Sequence, residues 1–310
     1  MLKKTNLSND PKVWCGLNNP DMNLFDADLV VFGIPYSVDI TNRYGARRAP
    51  EVLREASKIS SPFNENFQCF DTLKIVDVGD FVPAGGLREY FNDIEHFVTK
   101  LVSNEKFFVM VGGDHSTTIP VLRGIDDALD DEFGIIYIDA HFDLHDAVRG
   151  DKYSNTSVAR RALELSNING VENITFIGAR TIDREEYDFK KRYELNVLNS
   201  VLCHRIESDR IGSIAAKHMR NYEKVYITLD IDCLDPAYAA GTASPQFAGL
   251  YGRQLLNILE ELYRTLNIIG MDIVEIAPDL DPSLASTYAG RKIFQEVCGH
   301  CARKLNKLVD

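Results

Sequence analysis

The stretch GIIYIDAHFD, running from Gly134 to Asp143, bears on both the fold and the chemistry of this chain. Its first part, Gly134–Asp139, is an almost unbroken apolar run, the pattern of a strand covered on both faces of a sheet. Its second part, Asp139-Ala140-His141-Phe142-Asp143, sets metal-type ligands on alternate positions. In an extended strand residues i, i+2 and i+4 point to one side, so Asp139, His141 and Asp143 converge on one face.

Similar short runs lie on either side, at Leu29–Gly33, Lys74–Val78, Phe107–Val111, Asn173–Ile177, Lys224–Asp230 and Ile268–Val274, with Asn196–Leu198 as a shorter strand. Between them fall amphipathic stretches, at Ala49–Ala56, Tyr90–Leu101, Ile119–Ala128, Ser157–Leu165, Arg210–Arg220, Arg253–Tyr263 and Ala289–Lys307. Alternation of strand and helix predicts an α/β fold: three layers, α/β/α, around a mostly parallel sheet of about eight strands. No Pro/Gly/Ser-rich linker, internal repeat or low-complexity segment interrupts the pattern, so residues 1–310 are expected to form a single domain.

Open parallel sheets bind ligands beyond the carboxyl ends of their strands. His115, in Gly112-Gly113-Asp114-His115-Ser116, lies just past the 107–111 run. Asp230 ends its own strand and opens Asp230-Ile231-Asp232, and Glu275 follows Val274. All are expected at one sheet edge. Asp139, Asp143, Asp230 and Asp232 carry four negative charges, which would repel strongly unless cations lie between them. Two divalent ions neutralise them. A donor set of carboxylate and imidazole, with no thiolate, favours Mn²⁺ over structural zinc. Taken singly, each motif also fits a loop or a helix cap; together at strand ends they point to a metal pair able to turn water into hydroxide at neutral pH.

Bulk properties narrow the partners. The chain has 310 residues, 45% hydrophobic, with 34 Lys and Arg against 46 Asp and Glu. A net charge of −12 argues against nucleic acid and anionic membranes, which need basic patches. No run of about 18 apolar residues marks a membrane span, and the start lacks the apolar core of a signal peptide. Six sparse cysteines suit free thiols and a cytoplasmic location. Cys298-Gly299-His300-Cys301 could be a redox pair or half a zinc site, but on a helix without a second pair it fits two buried small residues better.

These motifs resemble the ureohydrolase family of arginases, agmatinases, guanidino-acid hydrolases and formimidoylglutamases. The resemblance covers most of the chain, from Gly33-Ile34-Pro35-Tyr36 and Arg43-Tyr44-Gly45-Ala46-Arg47-Arg48-Ala49-Pro50, through Gly112–Ser116, Asp139–Asp143, Gly178–Arg180 and Asp230–Pro236, to Asp272–Pro278. It implies an arginase-like fold and two Mn²⁺ ions per subunit. His115, Asp139, Asp143 and Asp230 would hold one ion, and His141, Asp139, Asp230 and Asp232 the other. A hydroxide would attack the central carbon of a linear amidine or guanidino substrate, and Asp143 would carry its proton to the leaving amine. Glu275 would pair with the planar cation, a geometry suited to a bidentate carboxylate. By the same analogy the chain would form a homo-oligomer, a trimer or hexamer.

The chain departs from the family where many members place a proton-shuttling histidine: Asn155 stands there, and an amide does not titrate near neutrality. Asn155, the Gly241-Thr242-Ala243-Ser244-Pro245-Gln246 segment and the Asp279-Leu280-Asp281 tail lean toward formimidoylglutamase. The Arg43–Pro50 segment and the Asp143-to-Asn155 spacing lean toward agmatinase, so the expected activity leans slightly to formimidoylglutamase, with agmatinase or guanidino-acid hydrolase as the alternative. His145, two residues past Asp143, is a candidate replacement shuttle if the strand persists; otherwise it is a solvated loop histidine. Asn155 and Arg180 are further candidate substrate contacts. Agmatine would present an amine that an acidic pocket containing Asp146 could take, whereas formimidoylglutamate would need cations such as Arg180 or Arg160. Beyond these, a one-zinc deacetylase and a non-catalytic relative remain as alternatives.

Overall fold

A computed structural model describes residues 1–38, 43 and 45–309. Tyr44, within the arginine-rich segment quoted above, lies outside the described residues. Among the described residues the sheet has nine strands: β1 (Leu2–Lys3), β2 (Leu29–Ile34), β3 (Ile75–Phe81), β4 (Phe107–Gly112), β5 (Gly134–Ile138), β6 (Ile174–Ile177), β7 (Asn196–Leu198), β8 (Val225–Asp230) and β9 (Ile268–Val274). Their order is β1-β3-β2-β4-β9-β8-β5-β6-β7. Every pairing is parallel except β1 with β3. The expected eight strands are present, and the ninth is the two-residue antiparallel β1, too short to leave a periodic signature.

Both faces of the sheet are covered, as its unbroken apolar strands require. Leu29, Val109, Ile136 and Leu229 pack on one side with the helices Ala49–Ser57, Ser208–Met219, Gly252–Thr265 and Ala285–Lys304. Val30, Phe108, Ile135 and Tyr226 pack on the other with Leu87–Ser103, Thr118–Ala128 and Val158–Ala162. Alternate residues of one strand thus feed opposite cores. The expected 157–165 helix is shorter, because the chain after Ala162 turns back into a loop. One helix, Arg184–Arg192, lacks the apolar stripe that betrays helices in sequence; a capping box between Asp183 and Glu186 starts it.

Cys298 and Cys301 are buried, free thiols on the last helix, as packing residues would be. Among the described residues, no helix is long and apolar enough to cross a membrane.

Candidate active site

The sheet order places β4, β9, β8 and β5 side by side, so His115, Glu275, Asp230 and Asp139 gather at the carboxyl edge of four adjacent strands. The ligands converge as expected, but turns bring them together. β5 stops at Ile138, and the Asp139 carboxylate captures the His141 N–H at 2.7 Å. Asp143 then takes a left-handed backbone, φ 51°. Likewise β8 stops at Asp230, whose carboxylate accepts the Asp232 N–H at 2.7 Å and caps a 3₁₀ turn over Ile231–Cys233. An aspartate that bonds the N–H two residues on folds the chain into a tight turn, and here that outcompetes continued pleating.

Two groups result. His115 Nδ1 lies 3.0 Å from Asp139 Oδ2, 3.1 Å from Asp143 Oδ2 and 3.4 Å from Asp230 Oδ2. His141 Nδ1 lies 3.3 Å from Asp139 Oδ1 and 3.1 Å from Asp232 Oδ2. Asp139 therefore serves both groups, one oxygen to each. His115, Asp139 and Asp143 could hold one metal ion, and Asp139, His141 and Asp232 another.

The environment favours cations. Burial, then Asp232 and Asp143, pushes the Asp139 carboxyl upward. Burial, then Asp232 and Asp139, pushes Asp230 well upward. At His115 burial opposes the charged ring, but the surrounding Asp139, Asp143 and Asp230 outweigh it and hold its proton far above the usual range. Among the described residues Asp139 Oδ2 is buried without a hydrogen bond, although His115 Nδ1 stands close by. Protons on imidazoles held among buried anions are what a divalent ion displaces on binding. The donor set therefore fits a pair of metal ions.

Supporting residues escaped the sequence reading. His115 Nε2 is 2.9 Å from Thr228 Oγ1, whose hydroxyl donates to Asp272 Oδ1 at 2.8 Å. Since the threonine proton is spent on Asp272, Nε2 must donate, which frees Nδ1 to act as ligand. Tyr137 donates to Asp143 Oδ2 at 2.6 Å and stacks on the His115 ring, centroids 4.9 Å apart. The one signal was a carboxylate, Asp272, within the apolar run of β9; Tyr137 and Thr228 are ordinary strand residues by sequence.

Glu275 sits at the end of β9 with φ 63°, its N–H held by Gly113 O at 2.7 Å. Its Oε1 accepts from the His115 N–H at 3.0 Å and from Asn155 Nδ2 at 3.3 Å. Its Oε2 is buried with no hydrogen-bond partner among the described residues. Burial and the nearby Asp114 carboxylate push its acid up to about 8. Asn155 thus meets the glutamate although 120 residues separate them.

Two of the candidate residues engage other partners. The strand does not persist to His145, which turns away: its Nε2 is 2.9 Å from Asp183 Oδ2 and its Nδ1 3.4 Å from Glu185 Oε2. Arg180 does not present a free cation to a substrate. Its guanidinium is spent on backbone carbonyls, with Nη2 donating to Asp232 O at 2.7 Å and Gln246 O at 2.8 Å, Nη1 to Cys233 O at 3.2 Å and Nε to Phe247 O at 3.2 Å. Arg160 lies over the Phe189 ring, 4.9 Å from its centroid, and faces Asp146 at 3.9 Å. Asp146 itself is paired with Arg161 at 2.9 Å.

Comparison with known proteins agrees with the geometry. The agmatinase of Neisseria meningitidis serogroup A is 34% identical over 281 residues, covering 87% of this chain and 86% of that protein. The structure of proclavaminate amidino hydrolase from Streptomyces clavuligerus superposes with a TM-score of 0.84 at 24% identity, covering 96% of this chain and 99% of that one. A formiminoglutamase from Trypanosoma cruzi, solved with Mn²⁺, superposes with a TM-score of 0.82 at 20% identity over 90% of this chain and 95% of its own, a likeness of fold alone. The model of the Arginase family matches residues 27–299. The chain belongs to the arginase family and is a hydrolase of carbon–nitrogen bonds in linear amidines and guanidino compounds.

Proposed function

We propose that this enzyme hydrolyses a guanidino compound with a cationic tail, agmatine being the model substrate, with two Mn²⁺ ions held by His115, Asp139, His141, Asp143, Asp230 and Asp232. The observation that carries the reading is Glu275: a buried carboxylate with one oxygen engaged by the His115 N–H and Asn155, and the other without a partner among the described residues. A planar guanidinium N–H satisfies that oxygen, and removes the cost of leaving it bare. The ions, when bound, supply charge neutralisation and a nucleophilic water ionised near neutral pH. The remaining work falls to side chains. Glu275 orients the cation with its central carbon facing the carboxylate cluster. Asp143 takes the nucleophile's proton and passes it to the leaving nitrogen as the carbon–oxygen bond forms and the carbon–nitrogen bond breaks. The Tyr137 hydroxyl fixes the Asp143 carboxylate for this transfer.

The tail follows from the arginines. Formimidoylglutamate needs cations for its carboxylates, and the two offered by sequence, Arg180 and Arg160, are engaged elsewhere. The curated agmatinases also stand nearer in sequence than the formiminoglutamase structure does. One contact favours the second reading: Asn155, the residue that leans toward formimidoylglutamase, touches Glu275 directly.

Mn²⁺-loaded protein assayed against agmatine, arginine, guanidinobutyrate and formimidoylglutamate, with urea and formamide scored separately, tests the proposal. Urea from agmatine is the expected product. Formamide alone would overturn the substrate, and a single zinc per chain on metal analysis would overturn the metal pair.

A further inference from the structure

The geometry points to Gln246 as a positioning residue for His141, with Arg180 holding Gln246 in that role; the inference rests on the reading of His141, Asp139 and Asp232 as half of a metal pair. His141 turns Nδ1 toward Asp139 and Asp232, while its Nε2 lies 3.3 Å from Gln246 Nε2. A histidine that ligates through Nδ1 keeps its proton on Nε2 and needs an acceptor there. Gln246 is the one side chain bonded to that nitrogen among the described residues. A half-turn of its carboxamide exchanges Oε1 for Nε2 without changing the outline of the side chain, and supplies that acceptor.

Gln246 belongs to an irregular segment with no ladder to fix it: Phe247 beside it is 87% exposed, and Ala248 adopts φ 63°. Arg180 supplies the fixture. One nitrogen, Nη2, bonds both Asp232 O and Gln246 O, so a metal-site residue and the partner of its neighbouring histidine hang from the same atom. Gly249 makes the approach possible, since a Cβ there would stand 2.6 Å from that nitrogen.

The two histidines are therefore backed differently. His115 leans on Thr228 and then on the buried Asp272 carboxylate. His141 leans on the neutral, half-buried amide of Gln246. A carboxylate behind an imidazole makes it the stronger ligand, and removing such an outer partner costs 10- to 100-fold in metal affinity.

Calorimetric titration of Mn²⁺ into metal-free wild type, Gln246→Leu, Gln246→Glu and Arg180→Lys, with thermal melting of each metal-free protein, tests this. In Gln246→Leu one of two binding steps is expected to weaken by about 10- to 100-fold, with the other within about twofold. Gln246→Glu should restore or tighten that step, and Arg180→Lys should weaken it. Two wild-type affinities in Gln246→Leu would overturn the proposal, as would equal weakening of both steps with a matching loss of melting temperature. A wild type that binds fewer than two ions is a separate result: it overturns the metal-pair reading, and this proposal with it.

Discussion

At the scale of single residues, Glu275 is held in place before any ligand arrives. The left-handed backbone at this glutamate, its bond to Gly113 and the contacts on Oε1 fix the carboxylate and leave Oε2 unbonded among the described residues. Glu275→Gln removes the charge from a charge-assisted bond but keeps the shape. A loss of about 2–3 kcal/mol is expected, on the order of 30- to 150-fold in kcat/KM, read by steady-state kinetics on agmatine. An unchanged kcat/KM would remove Glu275 from substrate binding. The same residue sets a pH dependence in the metal-free protein. Its carboxyl is raised from 4.5 to about 8 in the fold, so between those values the folded chain binds a proton that the unfolded chain has lost. Stability therefore falls as pH rises through that window. Asp139 and Asp230 are displaced in the same direction and add to the slope. Melting of chelated protein from pH 5 to 8 should show the decline, shallower in Glu275→Gln; a flat or rising profile would contradict it.

At the scale of elements, the Arg184–Arg192 helix ties a peripheral segment to the site. Its first-turn Glu186 accepts the Leu144 N–H at 3.2 Å, one residue beyond Asp143, while Asp183 caps the helix and pairs with His145. Asp183→Ala should cost about 1 kcal/mol through the lost cap, a fall of roughly 2–3 °C in Tm. His145→Ala should behave similarly in melting and leave the pH–rate profile of turnover unchanged. A shifted profile would instead give His145 the shuttle role that Asn155 cannot fill. The capping box was legible in sequence, as Asp183 followed three residues later by Glu186; the helix was overlooked because its polar composition carries no core-facing stripe.

At the scale of the whole molecule, the sheet concentrates charge that the fold alone does not neutralise. The net charge is −12, and four buried aspartates share one sheet edge. Ions that bind only the folded state add RT ln(1 + [L]/Kd) per site, about 2.7 kcal/mol at a hundredfold excess over Kd. Chelation should thus lower Tm by several degrees and Mn²⁺ should restore it; a Tm insensitive to both would contradict metal binding at this edge. Sequence by itself determined the layer architecture, the strands that carry ligands and which ligand types meet, because these follow from hydrophobic period and from the rule that parallel strands end together. Tertiary structure alone decided how they meet. The pleat expected to run through Asp143 gives way at Asp139 and Asp230 to turns made by their own carboxylates. Arg180, an available cation by sequence, is consumed by carbonyls of residues 232–234 and 246–247. Asn155 reaches Glu275, and Gln246 reaches His141, across 120 and 105 residues. Periodicity reports on a residue's neighbours within a few positions, whereas these contacts depend on which strands lie side by side, a property of the folded sheet and not of any segment of it.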